Sequence, residues 1–220
     1  MKKLNYWIWL HDCLHPRTNV AKLFSEYYKG PQEIFEDKKR ALCPLFTPKT
    51  LERMNRLSPE ESYRRLEACS GAGIDLLTPE DKEYPALLLE TEDYPVLLYA
   101  KGDLSVLHGR LPFAIVGTRN PGLRGKQAAS LLAERLSECH FLICSGGALG
   151  IDSAAHLGAL HSGAPTVAVL GGGFHSRYLQ ANRDLREVIA AKGLLLSETD
   201  PWEEPGRGTF PNRNRILAGM

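Results

Sequence analysis

No stretch of this 220-residue chain approaches the roughly 20 consecutive apolar residues that a membrane-spanning helix requires. The N-terminal run MKKLNYWIWLHD has two lysines and a short apolar stretch, but Asn5 interrupts it and His11 and Asp12 end it. That leaves too little for the core of an export signal. Cysteine is equally sparse. Cys13, Cys43, Cys69, Cys139 and Cys144 are odd in number, scattered and free of any C-x-x-C pair, so neither a disulfide framework nor a zinc site is expected. Cys139 and Cys144 flank or lie in apolar segments, where a free thiol behaves as a small hydrophobe. The expectation is a soluble protein of the reducing cytoplasm with no membrane partner.

An excess of one charge sign is also missing. Against 27 Lys and Arg stand 26 Asp and Glu, a net charge of +1, so no global positive field advertises a polyanion. Residues 1–75 carry 13 basic and 10 acidic groups, residues 76–110 carry 3 and 7, and residues 111–220 carry 11 and 9. Any polyanion site is therefore a local cluster, and residues 76–110 make a poor surface for one. The apolar fraction of 43% is ordinary for a globular protein and excludes a disordered chain.

Three regions separate by pattern. Residues 1–75 read as a small helical domain: Val20, Leu23, Phe24 and Tyr27 recur at helical spacing, as do Tyr63, Leu66 and Cys69. Ser58-Pro59-Glu60-Glu61 is a helix start, with an N-cap, proline at N1 and acids in the first turn. Residues 76–110 form a connector in which Tyr84–Pro85 and Tyr94–Pro95 bracket ALLLE and VLLYAKG, read as extended segments packing on the next domain. Residues 111–220 repeat strand, glycine turn and helix. Strands are expected at Phe113–Val116, Phe141–Cys144, Thr166–Leu170 and Leu194–Ser197, each a short apolar run of the kind buried on both faces. The helices between them carry Ala129, Leu132, Leu136 and Cys139; then Asp152 to His161; then Leu185, Val188 and Ile189, with Gly193 as a C-cap. Such alternation predicts an α/β fold, a Rossmann-like parallel sheet with right-handed crossovers.

Ligands of such sheets bind beyond the carboxyl ends of the strands. Three turns fall there: Gly117-Thr118-Arg119-Asn120-Pro121-Gly122, Ser145-Gly146-Gly147-Ala148-Leu149-Gly150 and Gly171-Gly172-Gly173. A single glycine turn needs no more explanation than tight turning, but three in succession suggest an anion-binding rim. Gly117-x-x-x-x-Gly122 continues with Leu123 rather than Lys-Ser/Thr, so it lacks the phosphate lysine and magnesium hydroxyl of a P-loop. The second turn has Ser145 where a dinucleotide fingerprint has its first glycine, and residues 163–178 hold no Asp or Glu for a ribose. Neither an NTPase nor NAD binding is indicated, and no cofactor is expected. Asp152 and His156 stand i, i+4 on one helix, but no third ligand or nucleophile accompanies them. The expectation is a helix-capping aspartate and a structurally hydrogen-bonded histidine, with no metal site and no catalytic residue. The last segment, Phe210-Pro211-Asn212-Arg213-Asn214-Arg215, sets two guanidiniums and two amides beside an aromatic ring. It suits phosphates and stacked bases, and equally a solvated loop with Phe210 in the core.

The segments IVGTRNPGLRGKQAA, LICSGGALGIDSAAHLGAL, TVAVLGGG and FPNRNRILAGM resemble successive motifs of the DNA-processing protein A family (DprA, also called Smf). The connector YPALL…DYPVLLYAKGDLSVL resembles the segment that precedes that family's core, so the likeness runs from about Tyr84 to Met220. It implies a bacterial cytoplasmic protein that binds and protects incoming single-stranded DNA, forms a homodimer when full length, and helps load the RecA recombinase in natural transformation and recombination. The DNA-binding residues are then expected to be Gly117, Thr118, Arg119, Ser145, Gly146, Gly147, Gly171, Gly172, Phe210, Asn212, Arg213, Asn214 and Arg215. On this reading Arg119, Arg213 and Arg215 pair with phosphates, the amides of Gly146 and Gly147 cradle another, and Phe210 stacks on a base. The family's N-terminal helices often resemble a sterile-alpha-motif or helix-hairpin-helix fold with a Gly-x-Gly hairpin; here His11 to Pro16 contains no glycine. The family's core also continues beyond the Arg-Asn-Arg motif, so residues 111–220 are expected to be an incomplete domain. An alternative is a nucleotide-processing enzyme of the phosphoribohydrolase type, although Leu170 to Gly173 lacks that group's Pro-Gly-Gly-x-Gly-Thr-x-x-Glu signature. A third reading makes the N-terminal helices a protein-interaction module on a passive core.

Overall fold

A computed structural model describes residues 2–178 and 180–220. The chain divides into two compact units, Met1–Leu98 and Tyr99–Met220, and the division falls inside the 76–110 connector. Among the described residues no helix is long and apolar enough to cross a membrane.

The first unit is organised on α1 (Lys3–Cys13), which buries every residue from Asn5 to Leu10 as well as Cys13. A helix apolar on nearly all sides belongs at the centre of a bundle. Trp9 meets the Phe35 ring edge-on at 5.2 Å, and its indole N–H donates to the Leu57 carbonyl at 3.1 Å, as a buried tryptophan requires. Around α1 lie α2 (Pro31–Glu36), α3 (Pro48–Arg56) and α4 (Ser62–Gly71), followed by the short strand β1 (Asp75–Leu77). The Thr47 hydroxyl caps α3 by accepting from the Thr50 amide at 3.1 Å, with Pro48 at the first helical position. Two expectations change here. Ser58-Pro59-Glu60-Glu61 opens a 3₁₀ turn at Pro59–Glu61 that runs into α4, and Tyr63 points outward while Cys69 is buried. ALLLE is not extended but a 3₁₀ turn at Ala86–Glu90, because only Leu88 finds a buried place while Leu87 and Leu89 stay exposed.

The second unit carries β2 (Leu98–Gly102), β3 (Leu111–Ala114), α5 (Leu123–Glu138), β4 (Phe141–Ser145), α6 (Ile151–His161), β5 (Thr166–Leu170), α7 (Arg183–Lys192), β6 (Leu194–Ser197) and α8 (Thr209–Gly219). Its strands lie in the order β2-β6-β5-β4-β3. β3 to β6 are parallel, and β2 pairs antiparallel with β6, Tyr99 opposite Ser197. The fold is thus α/β and Rossmann-like, with the connector's VLLYAKG supplying one strand. β4, β5 and β6 appear where their apolar runs predicted. β3 ends two residues early: the Ile115 amide still donates to the Cys144 carbonyl at 3.0 Å, and the chain then turns off toward Gly117.

Because β3, β4, β5 and β6 are adjacent in chain order, right-handed crossovers place α5, α6 and α7 on one face. One core there joins Ile115, Ile143, Ala133, Ala155 and Ala159, and another joins Ala168, Leu170, Ile189 and Leu195. Of the line read from the sequence on α5, Ala129 is buried and Leu136 packs against the first of these cores, while Leu132 and Cys139 are exposed; Ala133 and Ser137 complete the buried face. Val188 of α7 likewise faces outward while Ile189 is buried. Small residues win on α5 because α6 lies against it so closely that a Cβ on Gly158 would come within 2.1 Å of the Ser130 carbonyl oxygen.

On an open helix surface Gly158→Ala would add about 1 kcal/mol of stability from helix propensity. Against the Ser130 carbonyl it is expected to cost about 1–3 kcal/mol as overpacking. Urea denaturation decides by sign, and a stabilised variant would refute the close helix contact.

Candidate nucleic-acid interface

The parallel register brings the ends of β3, β4 and β5 to one edge, so Gly117, Gly146 and Gly171 stand side by side there. What holds these turns is an internal anion. Asp152, in the first turn of α6 and only 4% exposed, accepts from the Ala148 amide at 3.3 Å and from the amides of Gly117 and Gly146. Burial lifts its carboxyl above the ordinary range, while these amides and the Arg213 guanidinium pull the other way. Arg213 reaches the same turn from α8, donating to the Gly146 carbonyl at 2.7 Å and to the Val169 carbonyl. Gly146 is the residue pinched between them: a Cβ there would meet Arg213 Nη1 at 2.3 Å and Asp152 Oδ2 at 2.6 Å.

The residues singled out from the sequence are differently placed around this arrangement. The Gly146 amide lies close to the Asp152 carboxylate. The Ser145 hydroxyl is buried and donates to the Ile115 carbonyl at 2.6 Å. Thr118 accepts from the Asn120 amide through its hydroxyl and from the Ile151 amide through its carbonyl, shaping the first turn. Gly147 has its carbonyl bonded by the Asn182 side chain at 3.1 Å. Arg215 does not join the group: its side chain is 7% exposed and ion-paired with Glu198. Asn212 is half-buried and lines neither of the two pockets beside Arg119. Asp152 lies at the second position of α6 and reaches back to the preceding turn, so it is not the helix cap. His156 is fully buried with Nδ1 2.8 Å from the Thr166 hydroxyl. That hydroxyl donates to the Ile143 carbonyl at 2.7 Å, so His156 carries its proton on Nδ1.

Beside this clamp stand the exposed Arg119 and the half-buried rings of Tyr178 and Phe210. The Arg119 guanidinium sits 5.5 Å from the Phe210 ring centroid and 5.7 Å from that of Tyr178, and the two rings are 4.8 Å apart. Phe210 rests on the Gly171 backbone, where a Cβ would meet the ring at 2.7 Å. Gly172 lines the small pocket beneath, with Gly171 and Tyr178. The Tyr178 hydroxyl is buried without a hydrogen-bond partner among the described residues. On the other side of Arg119 and Phe210 opens a cavity of about 570 Å³. Ala114, Val116 and Leu217 give it apolar walls, and Gly117, Arg213 and Asn214 line it with Arg119. Sequence reading missed Tyr178, although its place five residues past the third glycine turn, in a stretch without acids, was a usable signal.

The family model described as DNA recombination-mediator protein A matches residues 75–220. The chain belongs to this family. It is 41% identical over 175 residues to the protein Smf of Synechocystis, which covers 78% of this chain and 43% of that protein. The X-ray structure of DNA processing protein A from Streptococcus pneumoniae superposes with a TM-score of 0.78 at 31% identity, covering 100% of this chain and 76% of that one. DNA processing protein A from Helicobacter pylori, described for its single-stranded DNA binding mode, gives a TM-score of 0.58 at 33% identity, covering 66% of this chain and 65% of that one. The chain spans about half the length of the curated relatives it matches. The family's matched segment contains all three glycine turns and α8, the elements that build the rim.

Burial, and secondly the nearby Arg213 charge, pull His156 down to about 3 from an ordinary 6.5. The unfolded chain therefore takes up a proton below about pH 6.5 that the folded chain refuses, so stability is full above that pH and falls as pH drops toward 3. The slope is at most about 1.4 kcal/mol per pH unit. Denaturant melts between pH 7 and 4 are expected to show this loss in the parent and a shallower loss in His156→Gln. Parallel curves would show that His156 does not enter the linkage.

Proposed function

We propose that this chain binds single-stranded DNA at the rim formed by Arg119, Tyr178 and Phe210, with a base in the cavity beside it. The observation that carries the reading is the Arg119 guanidinium held over two aromatic rings at the mouth of an apolar-walled cavity of about 570 Å³. A cation for the phosphate and an aromatic surface for the base, next to each other, match the way single strands are bound. Duplex fits poorly, because its bases are paired and stacked and cannot enter such a cavity. The described single-strand mode of the Helicobacter pylori relative supports the same reading. Within the site, Arg119 is the phosphate partner. Gly171 and Gly172 let Phe210 and Pro205 pack closely on the strand end beneath the site, and Asn214 is an amide for a base edge. Arg213 is the clamp that holds α8 against the strands.

Binding rather than turnover is the reading that the acid–base groups favour. The carboxylate at the cavity, Asp152, is committed to three backbone amides, and His156 is sealed beneath the sheet edge. In the cell, the role that family membership suggests is to protect incoming single strands and pass them to a RecA recombinase in the cytoplasm. Full-length homodimers would act in natural transformation and recombination.

Arg119→Ala is expected to weaken binding of a labelled single-stranded oligonucleotide by about 10- to 100-fold, the loss of one charge-assisted contact of roughly 1.5–3 kcal/mol. Its log–log salt slope should fall by about 0.7. Arg215→Ala should instead lower the melting temperature, since it removes the largely buried ion pair with Glu198. Gel shifts with matched single- and double-stranded oligonucleotides provide the test. Equal affinity for both forms, or an Arg119→Ala protein that binds like the parent, would overturn the site.

A further inference from the structure

A second groove lies beside the rim, between β2, α7 and the loop after Gly173. Its volume is about 420 Å³, and Lys101, Arg177, Arg183 and Arg186 line it against a single carboxylate, Glu187. Glu187 is ion-paired with Arg183 at 2.8 Å on the exposed face of α7, and Glu204 accepts from the Arg177 backbone amide at 2.7 Å, leaving that guanidinium's charge in place. Arg186 is 9% exposed and is shared: it lines both this groove and the pocket under Tyr178 and Phe210, as does Ser176. The two sites therefore adjoin. At the groove's edge His175 stacks on Trp202, with ring centroids 5.6 Å apart and planes 13° from parallel. Trp202 is 45% exposed, so part of its ring is open to a ligand. The His175 amide holds the pair in place by donating to the Pro201 carbonyl at 2.8 Å.

We propose that this groove continues the path of the bound strand: phosphates leaving the rim pass Arg186 onto Lys101, Arg177 and Arg183, and a base stacks on the Trp202–His175 face. The proposal rests on the reading of the rim as a single-strand site. Its own support is independent, since none of Lys101, Arg177, Arg183 and Trp202 belongs to the rim. Cations spaced along a trough with an aromatic plate beside them serve a chain of nucleotides better than one compact anion. Lysine and arginine here act as charges on phosphate, so the groove would add affinity and salt dependence without adding sequence preference.

The test is fluorescence anisotropy of the full chain with thymidine homopolymers of about 4 and about 16 nucleotides, lengths that bracket the usual footprint of a compact single-strand-binding fold. Parent, Arg119→Ala, Lys101→Ala/Arg183→Ala and Trp202→Ala are compared. Expected is a roughly tenfold weakening of the longer oligomer in the two groove variants, with binding of the shorter one unchanged. For Lys101→Ala/Arg183→Ala the salt slope on the longer oligomer should fall by about 0.7 for each phosphate contact removed. If both groove variants bind the longer oligomer like the parent while Arg119→Ala loses the shorter one, the groove is refuted and the rim stands. If the groove variants lose both oligomers in equal proportion, the continuation is also refuted, because the two sites would not be separable. If the parent binds neither oligomer, rim and groove fall together. Competition by thymidine monophosphate that the groove variants abolish would assign the groove to free nucleotides and overturn the strand path.

Discussion

The rim depends on one buried carboxylate. Asp152 gathers the amides that close the first two strand-end turns, and Arg213 lies against the same turn from the opposite side. An ion so deep is tolerated only where several donors and a counter-charge meet it. Once they do, the turns between β3, β4 and α6 are no longer loops that adapt to a ligand. They form a fixed floor. In folds where glycine turns take up a phosphate, the ligand supplies the anion that these amides require. Here the protein supplies it, and the place for an external phosphate shifts outward to Arg119 and the aromatic pair.

Much of this architecture was legible in the sequence for a simple reason. β4, β5 and β6 are buried on both faces, so each appears as an uninterrupted apolar run bounded by glycine or polar residues, and the runs LICS, TVAVL and LLLS map almost directly onto strands. Edges and helix faces were harder to read. β3 is paired on one side only, and its limits are set by where the chain bends toward Asp152, which periodicity does not record. On α5 Leu136 marked the core face but Leu132 did not, because most of the packing surface is made of alanine, serine and the facing Gly158. In the site, residue type announced cations and an aromatic ring, but not what each cation reaches. Arg213 and Arg215 are two residues apart and chemically identical. One spans to carbonyls of β4 and β5, the other to Glu198 after β6, because the helix turns them to different sides. Tyr178 carried no motif, and only the folded loop brings it to Phe210.

α8 combines two tasks on a single stripe. Phe210, Arg213 and Leu217 follow i, i+3, i+7 spacing, so a half-buried aromatic ring, the clamp and a cavity wall share one side of one helix. The position of Phe210 over Gly171 is thus inherited from the hydrogen bonds that Arg213 makes one turn later. A change at the clamp reaches the ring without touching any ligand.

The sequential strand order has a further consequence. α5, α6 and α7 all pack on one face of the sheet, while α8 lies beside Ala114 and Val116, whose neighbour Ile115 points into the opposite core. The two sides of the rim therefore differ in how many partners keep them in place. On one side each turn is fastened to a strand and to a helix that is itself wedged between others. On the other, α8 is held by its buried Ile216 and Leu217 and by the Arg213 clamp. Variation between relatives should respect that difference: the strand-side turns leave evolution almost no room, and the α8 side is where a binding surface of this kind can be retuned.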